Sequence, residues 1–275
     1  MKLPFRSIGY LLASLVMTLL QSSCEDVIDL GLNNAAPKLV IEGWVDDVAG
    51  PSVTISKTTA FTADLSENPQ QVLSGATVTL TDNYGHTAVL TDKVTPGQYR
   101  VEEAANFLGK PGRTYTLKVE ADSQTYQAVS TMPIPVPIDS VGTVTSDIFD
   151  GERKGAGLLF TDPPGVKNQY RYEVWVNDVF LKTIFIYNDK YNDGKTITRE
   201  LIDFEEDDDD KKIVIGDRVR VNIYNIDEAV YKYWFSLDEN NPGSAAPGNP
   251  VSNISNGALG YFSAQTSQQV ELIIQ

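Results

Sequence analysis

The chain has 275 residues, 22 basic against 37 acidic side chains, a formal net charge of -15, one Cys and one His. These counts exclude an intrachain disulfide framework and a zinc site built from Cys and His ligands. The acidic excess argues against nucleic acid as a partner, because phosphate binding needs clustered Lys and Arg.

Lys2 and Arg6 precede an apolar run from Ile8 to Leu20. A membrane span needs about 20 apolar residues, so this shorter run behind basic residues predicts a secretory signal peptide over 1–23. Leu20-Gln21-Ser22-Ser23-Cys24 follows. Small residues just before a cysteine resemble the lipobox of bacterial lipoproteins, where the signal is cut before the Cys and the thiol carries a diacylglycerol; the resemblance implies a covalent diacylglycerol/acyl lipid on Cys24. Leu20 stands four residues before Cys24, and Gln21 takes the third place, where the usual pattern has Leu. Each buried CH₂ of such an anchor contributes about 0.8 kcal/mol, so several chains hold firmly. Glu25, Asp26 and Asp29 resemble the acidic signal that exports lipoproteins of Bacteroidota to the cell surface. The expected location is the outer membrane, exposed to the outside, with the periplasmic face as the alternative. Removing 1–23 takes away two bases and no acids, which makes the mature chain more negative.

Residues 24–36 read as a lipidated acidic tether. Short β-rich runs then recur between turn residues: Lys38–Val45, Val53–Ser56, Ala76–Leu80, His86–Leu90, Pro96–Val101, Thr114–Val119 and Thr125–Val129. Period-two alternation and the Asp82-Asn83-Tyr84-Gly85 turn predict an Ig-like β-sandwich over 37–132. Pro133, Pro135 and Pro137 stiffen the chain and mark a linker over 133–137.

The remainder, 138–275, reads as a second β domain. Gly157–Phe160 ends at the Asp162-Pro163-Pro164-Gly165 turn. Tyr170–Val176 alternates, with Tyr172, Val174 and Val176 on one face and Arg171, Glu173 and Trp175 on the other. Val179–Tyr187 is nearly all apolar and predicts a strand buried on both faces. Arg218–Tyr224 alternates again, with Val219, Val221 and Ile223 inward. One helix is predicted near 227–239. Asp227 and Glu228 suit its N-terminus, and Val230, Tyr233, Trp234 and Leu237 share one face. A loop over 242–250 leads into a last β region ending in Val270–Ile274. The predicted class is mainly β: two β-sandwich-like domains, the second with one amphipathic helix.

The order of these pieces resembles a lipoprotein family of unknown function from Bacteroidota, domain-of-unknown-function family 4249. The matching features are Cys24 with its acidic follow-on, Pro37–Gly43, Gly75–Val78, Pro96–Tyr99 and the Tyr115-Leu117-Val119 strand. Tyr231-Lys232-Tyr233, Pro250, Ser252-Asn253-Ile254 and Gly260–Ala264 complete the series. The resemblance implies a secreted, outer-membrane-associated lipoprotein. It also implies an accessory role in uptake beside a TonB-dependent transporter. It carries over no catalytic residues.

Candidate chemistry is sparse. His86 is the only His and reads as a hairpin residue, since no nucleophile lies near it in sequence. Asp203, Glu205, Glu206, Asp207, Asp208, Asp209 and Asp210 could supply oxygen ligands to Ca²⁺. Mutual repulsion favours a solvated loop, here linking a strand over Thr196–Phe204 to one over Ile213–Ile215. Asp189, Asp193, Gly194 and Glu200 partly resemble an EF-hand loop, but Tyr191 takes the third position and the flanks read as strands. A hairpin turn is the better account. Trp175 with Arg171 and Glu173, and Tyr224 with Arg218, Arg220 and Asn222, lie on the polar faces of their strands. Were those strands neighbours, they would offer an aromatic, hydrogen-bonding surface for a glycan or peptide. The competing account packs these faces on the helix or the other domain. The expected function is a lipid-anchored binding or accessory protein without catalytic activity, metal or other cofactor. A surface glycan hydrolase with paired carboxylates and a structural or adhesive protein are the alternatives.

Overall fold

The computed structural model describes residues 36–59, 71–102, 107–148, 151–204, 212–240 and 248–275. The first half contains β1 (Leu39–Asp46), β2 (Pro51–Lys57), β3 (Gln71–Val72), β4 (Thr77–Asp82), β5 (Thr87–Thr95), β6 (Gln98–Arg100), β7 (Thr114–Ala121) and β8 (Gln124–Thr131). The second contains β9 (Ser140–Ile148), β10 (Gly151–Thr161), β11 (Gln169–Val176), β12 (Val179–Phe180), β13 (Phe185–Asn188), β14 (Thr196–Leu201), β15 (Arg218–Ile226), helix α1 (Glu228–Glu239) and β16 (Leu259–Ile273). The fold is mainly β.

Alternation explains the strands. In β4, Val78 and Leu80 are buried while Thr77 and Thr79 turn outward, so one face feeds the core and the other meets solvent. Tight turns join neighbours where two consecutive residues accept positive φ. Asp122 and Ser123 do this between β7 and β8, and Asn177 and Asp178 between β11 and β12. Backbones of that type match the right-handed strand twist.

One path of paired strands runs β12-β11-β15-β16-β1-β2-β6-β5-β4-β7-β8, and a separate sheet runs β14-β10-β9. Two main hydrophobic cores result. The first gathers Ile41, Ile55, Leu80, Tyr99, Leu117 and Phe262. The second gathers Leu158, Phe160, Tyr172, Val174, Val221 and Ile274. The chain passes from one core to the other between Met132 and Val136. β16 belongs to both cores. Phe262 and Ala264 enter the first, and Val270 and Leu272 pack on the second. Residues 36–275 accordingly form one compact unit.

β16 pairs parallel to β1 and antiparallel to β15. Its start depends on Gly260, which has φ of +91° and lies opposite Ile41. A Cβ there would collide with the Ile41 carbonyl oxygen, so only glycine allows this approach.

Several expected elements differ. Val179–Tyr187 is no continuous buried strand: β12 and β13 are short, and Val179 and Phe180 are exposed. Both strands pair with different parts of β11, so the chain must leave the sheet between them. The strand expected over Thr196–Phe204 ends at Leu201. No strand forms over Ile213–Ile215, where Ile213 is buried and Ile215 enters a turn. The 189–194 turn is not a hairpin. It connects β13, paired to β11, with β14, paired to β10 in the other sheet. The last β region, expected to end in Val270–Ile274, is one long strand, β16, that starts at Leu259.

Candidate functional site

The uninterrupted pairing of β11, β15, β16, β1 and β2 makes one long sheet face opposite the two cores. Register decides what meets on it. Arg171 lies opposite Tyr224, Glu173 opposite Asn222, and Trp175 opposite Arg220. The two polar strand faces singled out in the sequence are therefore neighbours. On β16 the same side presents Tyr261, Gln265 and Ser267, and on β1 it presents Trp44 and Asp46.

These side chains line a cavity of about 1130 Å³. Its floor is the sheet. Its far wall includes the segment after Asp46, Lys93 and Arg100 from the β5–β6 region, and Phe107 and Leu108. The Asp46 carboxylate shapes this wall by accepting the amides of Val48 at 3.0 Å and Gly50 at 3.1 Å, which curls the chain into a tight loop. Lys93 and Glu102 pair across the rim.

A polar network fixes the floor. The Arg171 guanidinium donates to Glu173 Oε1 at 2.7 Å. The Tyr224 hydroxyl donates to Glu173 Oε2 at 2.9 Å and accepts from Asn222 Nδ2 at 3.2 Å. Arg171 also stacks over the Trp234 ring, with its guanidinium carbon 3.8 Å from the ring centroid. A half-buried guanidinium between a carboxylate and an aromatic face is held in one orientation. Burial, reinforced by the Glu173 charge, raises the Tyr224 pKa far above the usual phenol range. Burial pushes Tyr261 up to about 12, although Arg171 opposes the shift. Both phenols stay protonated near neutral pH, and Tyr224 uses its proton to donate to Glu173.

Helix α1 covers one end of this face. Asp227 caps it by accepting the Val230 amide at 3.0 Å. Tyr233 and Trp234 pack on Tyr261, with ring centroids 4.8 and 5.2 Å away. The two accounts of the polar face thus divide it. Arg171 and Tyr224 touch the helix side and also line the cavity. Trp175, Arg218 and Arg220 do not line it. Trp175 packs on Phe180 with centroids 5.2 Å apart, Arg220 lies over the Trp175 ring, and both arginines pair with Asp178.

Sequence reasoning missed Trp44, Tyr261 and Gln265. Alternation with the buried Ile41 and Val45 was the signal for Trp44. Nothing local signalled that β16 would lie beside β1. His86 stands at the β4–β5 hairpin, with Nδ1 2.9 Å from Asp82 Oδ2 and Arg113 on the same carboxylate. Asp203 accepts from Thr183 Oγ1 at 2.8 Å. Glu200 lies on β14, away from the turn carrying Asp189 and Asp193. Cys24, Glu25, Asp26, Asp29 and Asp207, Asp208, Asp209 and Asp210 lie outside the described residues.

No helix among the described residues is long and apolar enough to cross a membrane. A family model described as Domain of unknown function (DUF4249) matches residues 25–271. Comparison with curated proteins finds no significant match.

Proposed function

The chain belongs to the domain-of-unknown-function family 4249, and from that premise we propose that it is a lipid-anchored binding protein of the outer-membrane surface, serving a TonB-dependent nutrient transporter. One observation carries the binding role: the large cavity on the continuous sheet face, floored by a fixed Arg171–Glu173–Tyr224 network. Large concave sites with a few oriented polar groups are the usual form of ligand sites. Trp44 supplies an aromatic surface, and Asn222 and Gln265 supply amide donors and acceptors. Stacking plus amide hydrogen bonding suits a glycan or an extended peptide. The anchor rests on Cys24 behind a signal peptide, and the surface location on Glu25, Asp26 and Asp29.

Two experiments divide the proposal. Cys24→Ala should release the protein from membranes; a variant still bound and normally processed would remove the anchor. Purification of the lipidated chain in mild detergent should recover a β-barrel transporter with nutrient glycan or peptide. Trp44→Ala should weaken that ligand by about tenfold while leaving the protein folded, as loss of a central aromatic contact does. Repeated recovery of the lipoprotein without transporter or ligand would overturn the accessory role.

A further inference from the structure

Three carboxylates meet far from the cavity described above. Asp162 follows β10, Asp189 follows β13, and Asp193 lies four residues on in the turn leading to β14. One oxygen from each lies within 4.8 Å of the others. Asp162 and Asp189 are buried and Asp193 is exposed. No Lys or Arg among the described residues forms an ion pair with any of the three. Buried charges are ordinarily paired or bound to a metal.

Each carboxylate is held by one donor. Asp162 accepts from the Tyr170 hydroxyl. Asp189 Oδ2 accepts the Asn168 amide at 2.7 Å, and Asp193 Oδ1 accepts the Gly165 amide at 2.7 Å. Such outer contacts orient metal ligands. A separate observation points to a missing partner. Asp162 is only 1% exposed, and its Oδ2 is buried without a hydrogen-bond donor. The Gly194 amide lies close enough to affect this carboxyl but does not reach hydrogen-bond geometry. A proton could relieve the crowding, since burial and the neighbouring Asp189 and Asp193 charges raise the Asp162 pKa. A cation would relieve all three carboxylates together. A cleft of about 540 Å³, lined also by Lys167, Lys190 and Lys232, reaches Asp189 and Asp193 from the surface.

We propose that Asp162, Asp189 and Asp193 form a Ca²⁺ site that ties the end of β10 to the β13–β14 turn. Oxygen-only ligands favour a hard divalent cation. Ligands about 2.4 Å from Ca²⁺ span up to about 4.8 Å across the ion, whereas octahedral Mg²⁺ demands a tighter set. The site is unrelated to an EF-hand: Tyr191 and Glu200 take no part, and Asp162 comes from a different turn. Affinity in the range of extracellular modules, about 10⁻⁴ to 10⁻³ M, is expected for three carboxylates completed by water.

Isothermal titration of the full chain with Ca²⁺, after stripping with EDTA, tests this. The expected result is one saturable site, with Mg²⁺ binding more weakly. Asp193→Asn should weaken Ca²⁺ by at least about tenfold. Asp193 is exposed, so that variant should melt like the parent in EDTA, while Ca²⁺ raises the melting point of the parent alone. A triple Asp208→Asn, Asp209→Asn, Asp210→Asn variant should bind as the parent does. Absence of saturable binding up to about 10 mM Ca²⁺ would overturn the site. So would binding that survives Asp193→Asn, binding lost with the triple variant, or equal affinity for Mg²⁺.

Discussion

Asp82 closes the β4–β5 hairpin with nearly every hydrogen bond a carboxylate can accept. Oδ1 takes the amides of Tyr84 and His86, each at 2.9 Å, while Oδ2 takes Arg113 Nη1 and faces His86 Nδ1. Burial by itself would raise this carboxyl. The bonds from His86, Arg113 and the Tyr84 amide outweigh it and hold the pKa at about 2, against an ordinary 3.8. A carboxylate depressed in the folded state stabilises above its unfolded pKa and loses that contribution as pH falls through the folded value. The shift corresponds to about 2 kcal/mol at neutral pH. Asp82→Asn should therefore be about 2 kcal/mol less stable at pH 7. The gap should shrink below pH 4 and close near pH 2, as followed by urea unfolding across that range. A gap that ignores pH would show that packing, and not charge, sets the role of Asp82. His86 is then the exposed member of the hydrogen-bonded cluster that closes this hairpin.

At the scale of elements, α1 is tied to the sheet by its own cap. Asp227 Oδ1 accepts the Val230 amide, while Oδ2 accepts Ser130 Oγ at 2.7 Å and the Thr131 amide at 3.0 Å on β8. A simple cap contributes about 1 kcal/mol, and stranding two further donors adds to it. Asp227→Ala should cost about 2 kcal/mol by thermal or urea unfolding, and Asp227→Asn should recover part of that loss. In a double-mutant cycle with Ser130→Ala, a coupling of at least about 0.5 kcal/mol is expected. Additive single effects would deny the tie. The helix was legible in the sequence because its cap and its apolar spacing are both local. So were β4, β11 and β15, whose alternation spans only a few residues. The neighbour of each strand was not legible. Arg171 meets Tyr224 only because β11 and β15 pair across 53 positions, and Trp44 shares a face with Gln265 only through the β1–β16 pairing. Asp162 and Asp189 likewise meet through two different turns. Alternation says which side chains share a face; it is silent on which strands share an edge.

For the whole molecule, the same pairing decides cooperativity. A stiff proline stretch between two β-rich halves suggests independent domains, yet β16 places Phe262 in one core and Val270 and Leu272 against the other. Its backbone also completes the sheet on the open edges of both β1 and β15. Removing 259–275 would strip a fully buried Phe from the first core and a buried Ile, Ile274, from the second. Such losses typically cost about 3–5 and 2–5 kcal/mol, before the unpaired strand edges are counted. Typical domain stability is about 5–15 kcal/mol, so neither half has enough to spare. A chain ended after Ala258 should therefore lose the near-UV circular dichroism of both cores, and the intact chain should unfold in one transition seen alike by Trp fluorescence and far-UV signal. Retention of a cooperative transition in the truncated chain would assign the halves separate stability. Loss in both would make β16 the element through which a ligand in the sheet-face cavity, whose floor it helps build, stabilises the entire protein.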